Sequence, residues 1–371
     1  MAESAHAYVR GNTAQFYEWL IRDGGKAKIP SGPPIWICGD CHIGNLGPVA
    51  NLTGEIEIQI RDLDQTVIGN PALDLIRLGL SLAMAARGSD LPGVTTAKMI
   101  EALIDAYTRT LAGRSQKVKS KQIVPIQRVM HAALRRRWRH LAEERIEDVT
   151  PQIPLGRKFW PLTREEKKGL RALFKGEKER KLIAILMAKR KAKKIKLIDA
   201  AYWMKGCSSL GRVRYAALVR ANGKYRILDI KEATKAAASA AKSSDMPADY
   251  AERVVAGARS LSPFLGDRMI ATTLEKRSVV VRELRPQDIK FDLSTLTQEE
   301  AVLTARLFSE VVGKAHARQM TRAERKAWAK ELRTDHTTSL DAPSWLWNAV
   351  LALVSEHEAS YLSHCRKFAS A

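Results

Sequence analysis

The chain has 371 residues, of which 45% are hydrophobic and 27% are charged. This composition is ordinary for a folded protein and excludes an intrinsically disordered chain. The length exceeds one minimal domain, so we expect two lobes with a sizeable core. No run approaches the roughly 18 apolar residues of a membrane span, and the start, MAESAHAYVRG, lacks the basic head and apolar core of an export signal. We therefore expect a cytoplasmic protein with no membrane span.

The net charge indicates which partners the protein could bind, and the cysteine count indicates whether disulfides hold the fold together. The formal net charge is +22, and residues 164–196 alone carry 14 basic against 4 acidic side chains, a net +10. Such a field attracts polyanions such as nucleic acid, although a solvated helix face would have the same composition. Four cysteines are too few for a disulfide scaffold in a chain of this length.

Hydrophobic periodicity and turn residues divide the chain into helices and strands. The predicted helices cover residues 4–22, 72–87, 95–111, 127–145, 248–260, 297–319, 321–333 and 343–368. The predicted strands cover residues 35–38, 55–61, 213–220, 225–231, 269–273 and 278–284. We expect the later strands to form a small sheet supplied by residues 205–290.

The most informative motif follows the buried strand at 35–38. It reads CGDCHIGN (38–45) and resembles the H-G-D-x-H-x-x-N catalytic loop of aminoglycoside phosphotransferases and choline-kinase-like enzymes. Phosphoryl transfer needs a carboxylate that orients the acceptor hydroxyl and an amide oxygen that holds magnesium beside the phosphates. The resemblance implies Asp40 as the catalytic residue and Asn45 as a metal ligand. Cys38 departs from the family pattern, since those enzymes usually carry His there.

A second motif follows the strand that ends at residue 61. Asp62-Leu63-Asp64 and then GNPALDL (69–75) resemble the I-D-F-x-D-x-x-x-G-x-P-x-x-D-L segment of the same enzymes. A carboxylate at the end of a strand, facing the amide, completes an oxygen site for a hard cation. The implied metal ligand is Asp62, with Asp64 as an assistant, and Asp74 is expected to tether the catalytic loop from the next helix.

A nucleotide lobe is expected further along the chain. GCSSLG (206–211), followed by a strand and then by IKEA (230–233), resembles a Gly-rich phosphate loop and the strand lysine that binds phosphates. Lys231 would supply that charge, and Glu252 on the following helix would hold the lysine forward. Backbone amides approach phosphate oxygens only where side chains are small. The implied loop residues are Gly206, Ser208, Ser209 and Gly211.

These segments occur in an unusual order. In ordinary kinases the Gly loop, lysine, glutamate and a long helix precede the catalytic loop and metal aspartate, whereas here the last two come first. Such a circular permutation is tolerated when the old termini lie close together, so the C-terminal helices should pack near residues 1–34. The whole arrangement also resembles a bacterial family catalogued as domain of unknown function 2252, through YVRG (8–11) and the motifs above.

The resemblance implies a fold and an activity. The expected fold is α+β, a protein-kinase-like two-lobed fold in circularly permuted order, with a small antiparallel sheet and a larger helical lobe. Residues 1–200 would hold the catalytic-loop part with a basic helical insert at about 115–200, residues 201–290 the nucleotide-binding lobe, and residues 291–371 the closing helices. The expected function is phosphotransfer from ATP, with Mg²⁺, to an unknown acceptor.

Other interpretations of the first motif remain open. CGDCH (38–42) also satisfies C-x-x-C-H, the pattern of covalent haem attachment, and contains a thioredoxin-like C-x-x-C. Haem attachment belongs to an exported setting, and a thioredoxin motif should open a helix, whereas a turn rich in Gly and Asn follows here. Zinc could use Cys38, Cys41, His42 and one distant ligand, although no second ligand pair is present.

The main alternative to an active enzyme is a catalytically inactive kinase-like or basic protein that binds nucleic acid or another polyanion. Its contact would use residues 164–196, where the clearest aromatic positions nearby are Trp138, Phe159 and Trp160.

Overall fold

The structure, a computed structural model, describes residues 8–9, 11–114, 123–135, 152–186, 195–204, 211–221, 224–241, 245–288, 296–333 and 342–369. The helices in these ranges are α1 (Thr13–Asp23), α2 (Ala72–Gly88), α3 (Gly93–Leu111), α4 (Val124–Arg135), α5 (Arg164–Lys175), α6 (Glu177–Leu186), α7 (Tyr250–Leu261), α8 (Pro263–Gly266), α9 (Gln298–Ala317), α10 (Arg322–Glu331) and α11 (Ser344–Ala369). The strands are β1 (Ile35–Ile37), β2 (Leu46–Ala50), β3 (Ile56–Ile60), β4 (Val67–Gly69), β5 (Phe159–Trp160), β6 (Ile195–Trp203), β7 (Arg214–Ala221), β8 (Lys224–Glu232), β9 (Met269–Leu274) and β10 (Arg277–Glu283).

An antiparallel sheet of six strands has the order β5-β6-β7-β8-β10-β9, and two smaller sheets pair β1 with β4 and β2 with β3. The large sheet extends beyond the predicted residues 205–290, because β5 and β6 precede that range. Pairing of β6 with β7 shifts register between Leu197 and Asp199. A bulge of this kind breaks the two-residue alternation by which a strand is recognised in a sequence.

Strand β8 shows how the sheet separates its two faces. Leu228 and Ile230 pack with Leu170 of α5 in one apolar cluster, and α6 adds further apolar side chains to it. The intervening Asp229 and Lys231 project from the opposite face, because successive side chains alternate across a strand. The charged face of the sheet is therefore turned away from α5.

The larger, helical portion is built around α2. In this helix 14 of 17 residues are buried, as expected for a helix that is apolar on nearly all sides. Helices α3 and α11 pack against α2, and α9 packs against α3. Gly79 permits the close approach of α11, since a Cβ there would lie 2.8 Å from a methyl carbon of Val350.

Three helix starts follow a signal that is legible in the sequence. Helices α5, α9 and α10 each begin with a Thr-x-x-Glu capping box, in which threonine and glutamate side chains accept hydrogen bonds from each other's backbone N–H. These contacts satisfy N–H groups that have no partner within the helix.

The C-terminal helix packs against the start of the chain. Gln15 of α1 donates to the hydroxyl of Ser360 at 2.6 Å, and Arg22 forms an ion pair with Glu356. The ring of Tyr8 lies 5.9 Å from that of Tyr361. The predicted packing of the C-terminal helices near residues 1–34 is confirmed, and the architecture is a mixed α+β fold with a helical portion and antiparallel sheets.

Within the described ranges, no helix combines the length and the apolar character that crossing a membrane requires.

Candidate functional site

The 38–45 loop follows the end of β1, and its backbone is hydrogen-bonded to the side chain of Asp74. The fully buried carboxylate of Asp74, in the first turn of α2, accepts the backbone N–H of Cys38 at 2.7 Å and of Gly39 at 3.0 Å. A carboxylate that accepts two backbone donors fixes the direction of the chain at that point. The predicted tether from Asp74 to the loop is confirmed.

Asp74 is itself part of a buried chain of polar groups. Its Oδ2 lies 3.1 Å from Nε2 of His316 in α9, and Nδ1 of His316 lies 2.8 Å from the hydroxyl of Tyr107 in α3. The indole N–H of Trp328 in α10 donates to the same hydroxyl at 3.2 Å. The loop backbone is thus connected through hydrogen bonds to four helices of the helical portion, α2, α3, α9 and α10. No sequence motif indicated this connection, because its members are spread over more than 200 residues.

Gly39 gives the loop its sharp turn. Its φ is +73°, a left-handed value that residues with a side chain rarely adopt, and a Cβ there would overlap the carbonyl oxygen of Gln65. Its own carbonyl accepts the hydroxyl of Tyr17 at 2.7 Å. A glycine is required here by both backbone angle and space.

We expect Gly39→Ala to destabilise the fold by about 3 kcal/mol, from left-handed strain together with steric overlap in a packed site. Gly113→Ala is a matched control, since its φ is +71° but no atom lies within 4 Å of its Cβ position. The control is expected to lose only about 1 kcal/mol. Urea unfolding of the two variants measures the difference, and equal losses would show that the space around Gly39 is unimportant.

Asp40 is held by an arginine that no sequence motif indicated. Nε of Arg77 donates to Oδ1 of Asp40 at 2.9 Å, and Nη2 of the same buried arginine donates to the carbonyl of Val9 at 2.7 Å. The Asp40 side chain is 16% exposed, and Nε2 of His42 lies 3.7 Å from its Oδ2. Arg77 stands three residues after Asp74, and Ser81, four residues further on, accepts the backbone N–H of Ile43 at 3.2 Å, so one face of α2 contacts the loop three times.

Asn45 lies at the other end of the loop. Its Nδ2 donates to the backbone carbonyl of Asp40 at 2.9 Å, a contact that does not use the amide oxygen. This oxygen is the atom that would bind a cation in the predicted role of Asn45 as a metal ligand.

Lys231 and the Asp62–Asp64 segment come together, although they are far apart in the chain. Nζ of Lys231, on β8, forms an ion pair with the carboxylate of Asp64. Burial lowers the pKa of Lys231, whereas the nearby charge of Asp62 raises it. The backbone carbonyl of Asp62 also accepts the thiol of Cys38 at 3.6 Å, which joins this segment to the 38–45 loop.

Further cations surround the segment. Arg214 makes two hydrogen bonds to Asp229, at 2.9 and 2.5 Å, and Arg282 contacts the same carboxylate at 3.3 Å. Nη1 of Arg282 reaches back to the carbonyl of Arg61 at 3.2 Å. Arg214 pairs with Lys231 across the strands, and Arg282 pairs with Asp229. The alternation of β7, β8 and β10 could have placed these charges on one face before the structure was known.

Helix α7 contributes Arg253 to the site. Nη2 of Arg253 donates to the carbonyls of Asp64 at 3.0 Å and Thr234 at 2.9 Å. The neighbouring Glu252 is exposed in the first turn of α7, where its N–H donates to Asp249. The structure pairs Lys231 with Asp64, and the predicted role of Glu252 stays a prediction.

The predicted phosphate loop is described only at its end. Gly211 has a φ of +75° and lies in the turn that leads into β7. Gly206, Ser208 and Ser209 lie outside the described residues, so their predicted role in nucleotide binding stays a prediction.

The cysteines of the loop are buried thiols. Cys38 and Cys41 are 0% and 1% exposed, and the hydrogen bond with Cys41 and burial both raise the pKa of Cys38. A thiolate is the form that binds zinc, so the raised pKa of Cys38 disfavours zinc binding. Across the residues that the structure describes, no group of three or more His, Cys, Asp and Glu side chains could hold a metal ion.

Comparisons with known proteins place the chain in a family without adding a described function. No curated protein and no solved structure matches it. The profile of the family described as "Uncharacterized protein conserved in bacteria (DUF2252)" matches residues 1–367. Since this match covers nearly the whole sequence, the chain belongs to that bacterial family.

Proposed function

We propose that the protein is an ATP- and Mg²⁺-dependent phosphotransferase with a kinase-like, circularly permuted fold. The observation that carries the proposal is the ion pair between Lys231 of the large sheet and Asp64, next to Asp62 and beside the loop that holds Asp40 and Asn45. Kinases bring a strand lysine, a metal aspartate and a catalytic loop together in the same way.

The residues at the site fit a magnesium–nucleotide complex. Magnesium in such enzymes uses one or two protein carboxylates and completes its shell with water and phosphate oxygens. Asp62 and the amide oxygen of Asn45 would be the protein ligands, and no preformed cluster of acids is needed. When bound, the metal ion would neutralise charge on the phosphates and bring them into line with the acceptor.

The other side chains have separate parts in this proposal. Lys231 would exchange its contact with Asp64 for a phosphate oxygen, and the surrounding arginines would offset the remaining negative charge. Asp40 would orient the acceptor hydroxyl and take its proton, while the buried Arg77 keeps the carboxylate in one position. The buried hydrogen bonds of Asp74 support the backbone on which Asp40 stands.

The contact between the two ends of the chain supports the permuted order. Helix α11 packs on α1, so the present two ends of the chain lie together, as the permuted order requires of a point where an ordinary kinase-like chain would be continuous. Helix α9, which precedes the catalytic loop in ordinary order, reaches the 38–45 loop through His316 and Asp74.

Nucleotide binding tests the proposal directly. Millimolar ATP or ADP with Mg²⁺ is expected to raise the melting temperature, because a ligand at 100 times its Kd stabilises the folded state by about 2.7 kcal/mol. Lys231→Ala should remove most of this shift. Lys235→Ala is the matched control, since Lys235 is exposed just beyond β8 and should leave the shift unchanged.

Calorimetric titration of the wild type and both variants with ADP and Mg²⁺ gives the affinities. Absence of any shift in the wild type, or equal binding by the Lys231→Ala variant, would overturn the proposal.

A further inference from the structure

The outer surface of α5 carries a dense row of cations. Five exposed basic side chains lie on this helix, and Glu165 is its exposed acid. Most of the five recur at i, i+4, i+7 and i+11, which places them in one row opposite the buried Leu170 and Leu173. The residues of this row, here called the α5 stripe, are Arg164, Lys167, Lys168, Arg171 and Lys175.

The α5 stripe is not neutralised by its surroundings. Within the described part of the chain, none of its five cations forms an ion pair with an acidic side chain. Glu166 is turned toward the sheet, where it completes the helix cap and accepts the hydroxyl of Tyr215 at 3.0 Å. The exposed Glu275 lies against Gly169 of α5. On the helix and at this contact, five exposed cations are therefore set against two exposed acids, Glu165 and Glu275. A net positive row of this kind attracts a polyanion.

A half-exposed aromatic ring stands beside the stripe. Trp160 of β5 is 48% exposed, and its ring stacks on Tyr202 with centroids 5.9 Å apart and planes inclined by 17°. Tyr202 packs edge-on against Tyr215, whose hydroxyl is bonded to Glu166 at the start of α5. These contacts fix Trp160 relative to the cations and leave its outer face open to a ligand.

We propose that the α5 stripe and Trp160 together bind single-stranded nucleic acid. The cations from Arg164 to Lys175 extend over about 16 Å along the helix and would contact successive phosphates of one strand. The exposed face of Trp160 would stack on one base, a contact that tolerates every base because each has a π-face. Stacking requires an unpaired base, so the pairing of aromatic ring and cations favours a single strand over a duplex or a polyanion without bases.

This surface is separate from the candidate phosphotransfer site. Helix α5 covers the face of β8 that carries Leu228 and Ile230, whereas Lys231 projects from the opposite face toward Asp64. The sheet lies between the two sites. The inference therefore does not depend on the proposed function, and either could fail without the other.

Fluorescence anisotropy with a labelled thymidine oligonucleotide tests the charge requirement. Changing all five residues of the α5 stripe to Gln is expected to weaken binding at least about tenfold at physiological salt and to reduce its salt dependence, because fewer counterions are released. The matched control removes the same charge elsewhere on the exposed surface. It changes Lys98, Arg322, Lys326, Lys330 and Lys367 to Gln.

Trp160→Leu tests the stacking requirement. It is expected to weaken oligonucleotide binding about tenfold while leaving retention on heparin unchanged, since heparin offers charge without bases. Thermal melting checks that each variant is folded before its affinity is compared.

Three results would overturn the inference. They are equal affinity of the α5-stripe and control variants, no effect of Trp160→Leu on the oligonucleotide, or binding to phosphatidylserine vesicles that depends on Trp160 while the oligonucleotide does not bind. The last result would assign the surface to an anionic membrane instead.

Discussion

Replacement of Asp74 by alanine is expected to lower the free energy of unfolding by about 4 kcal/mol. The fully buried carboxylate accepts two backbone N–H groups of the 38–45 loop and contacts His316. Its removal would leave both donors buried without a partner, and each such group costs about 1–3 kcal/mol. The ring of His316 would lose one of its two partners as well.

Urea unfolding of matched variants measures this loss. Asp105→Ala is the control, because Asp105 forms an i,i+4 ion pair with Arg109 on the surface of α3 and should contribute less than about 1 kcal/mol. Asp74→Asn is expected to fall between them, since one amide oxygen can accept a single N–H while its NH₂ group faces the second donor. A loss at Asp74→Ala no larger than that of the control would contradict the structural role of the buried chain.

Most of the longer helices were predictable because their signals are local. The starts of α9 and α10 coincide with Thr-x-x-Glu boxes, and α2 is recognisable from an apolar run that includes charged residues only at Asp74, Arg77 and Arg87. A capping box involves residues three apart, so it is complete within the sequence itself. Strand β6 lacked such a signal, because its bulge moves Leu197 and Asp199 out of alternation.

The members of the candidate site were partly predictable and their pairings were not. Motif spacing selected Asp40, Asn45, Asp62 and Lys231, whereas the ion pair of Lys231 with Asp64, 167 positions away, was not expected. Which acidic side chain forms an ion pair with a lysine depends on how the sheet packs against the helical portion. No local sequence pattern encodes this packing. The contact of Arg77 with Asp40 was not predicted for the same reason, since an arginine inside an apolar helix pattern gives no indication of its partner.

Asp40→Asn is expected to reduce γ-phosphate transfer by about 10²- to 10⁴-fold, the usual contribution of a positioned general base. Nucleotide affinity should stay within about twofold, because a group that orients the acceptor acts mainly in the transition state. The substitution preserves the local fold, since the amide oxygen of Asn can still accept the Nε–H of Arg77.

Transfer of labelled γ-phosphate from ATP, with a bacterial cell extract as the source of acceptors, measures the effect of Asp40→Asn. The surface substitution Asp105→Asn serves as the control and should retain full transfer. If Asp40→Asn abolishes nucleotide binding, Asp40 supports the nucleotide site and is not the base. If the wild type binds ATP through Lys231 and still transfers no phosphate, the catalytically inactive kinase-like alternative holds, and Asp40 with Arg77 is then a structural ion pair of the 38–45 loop.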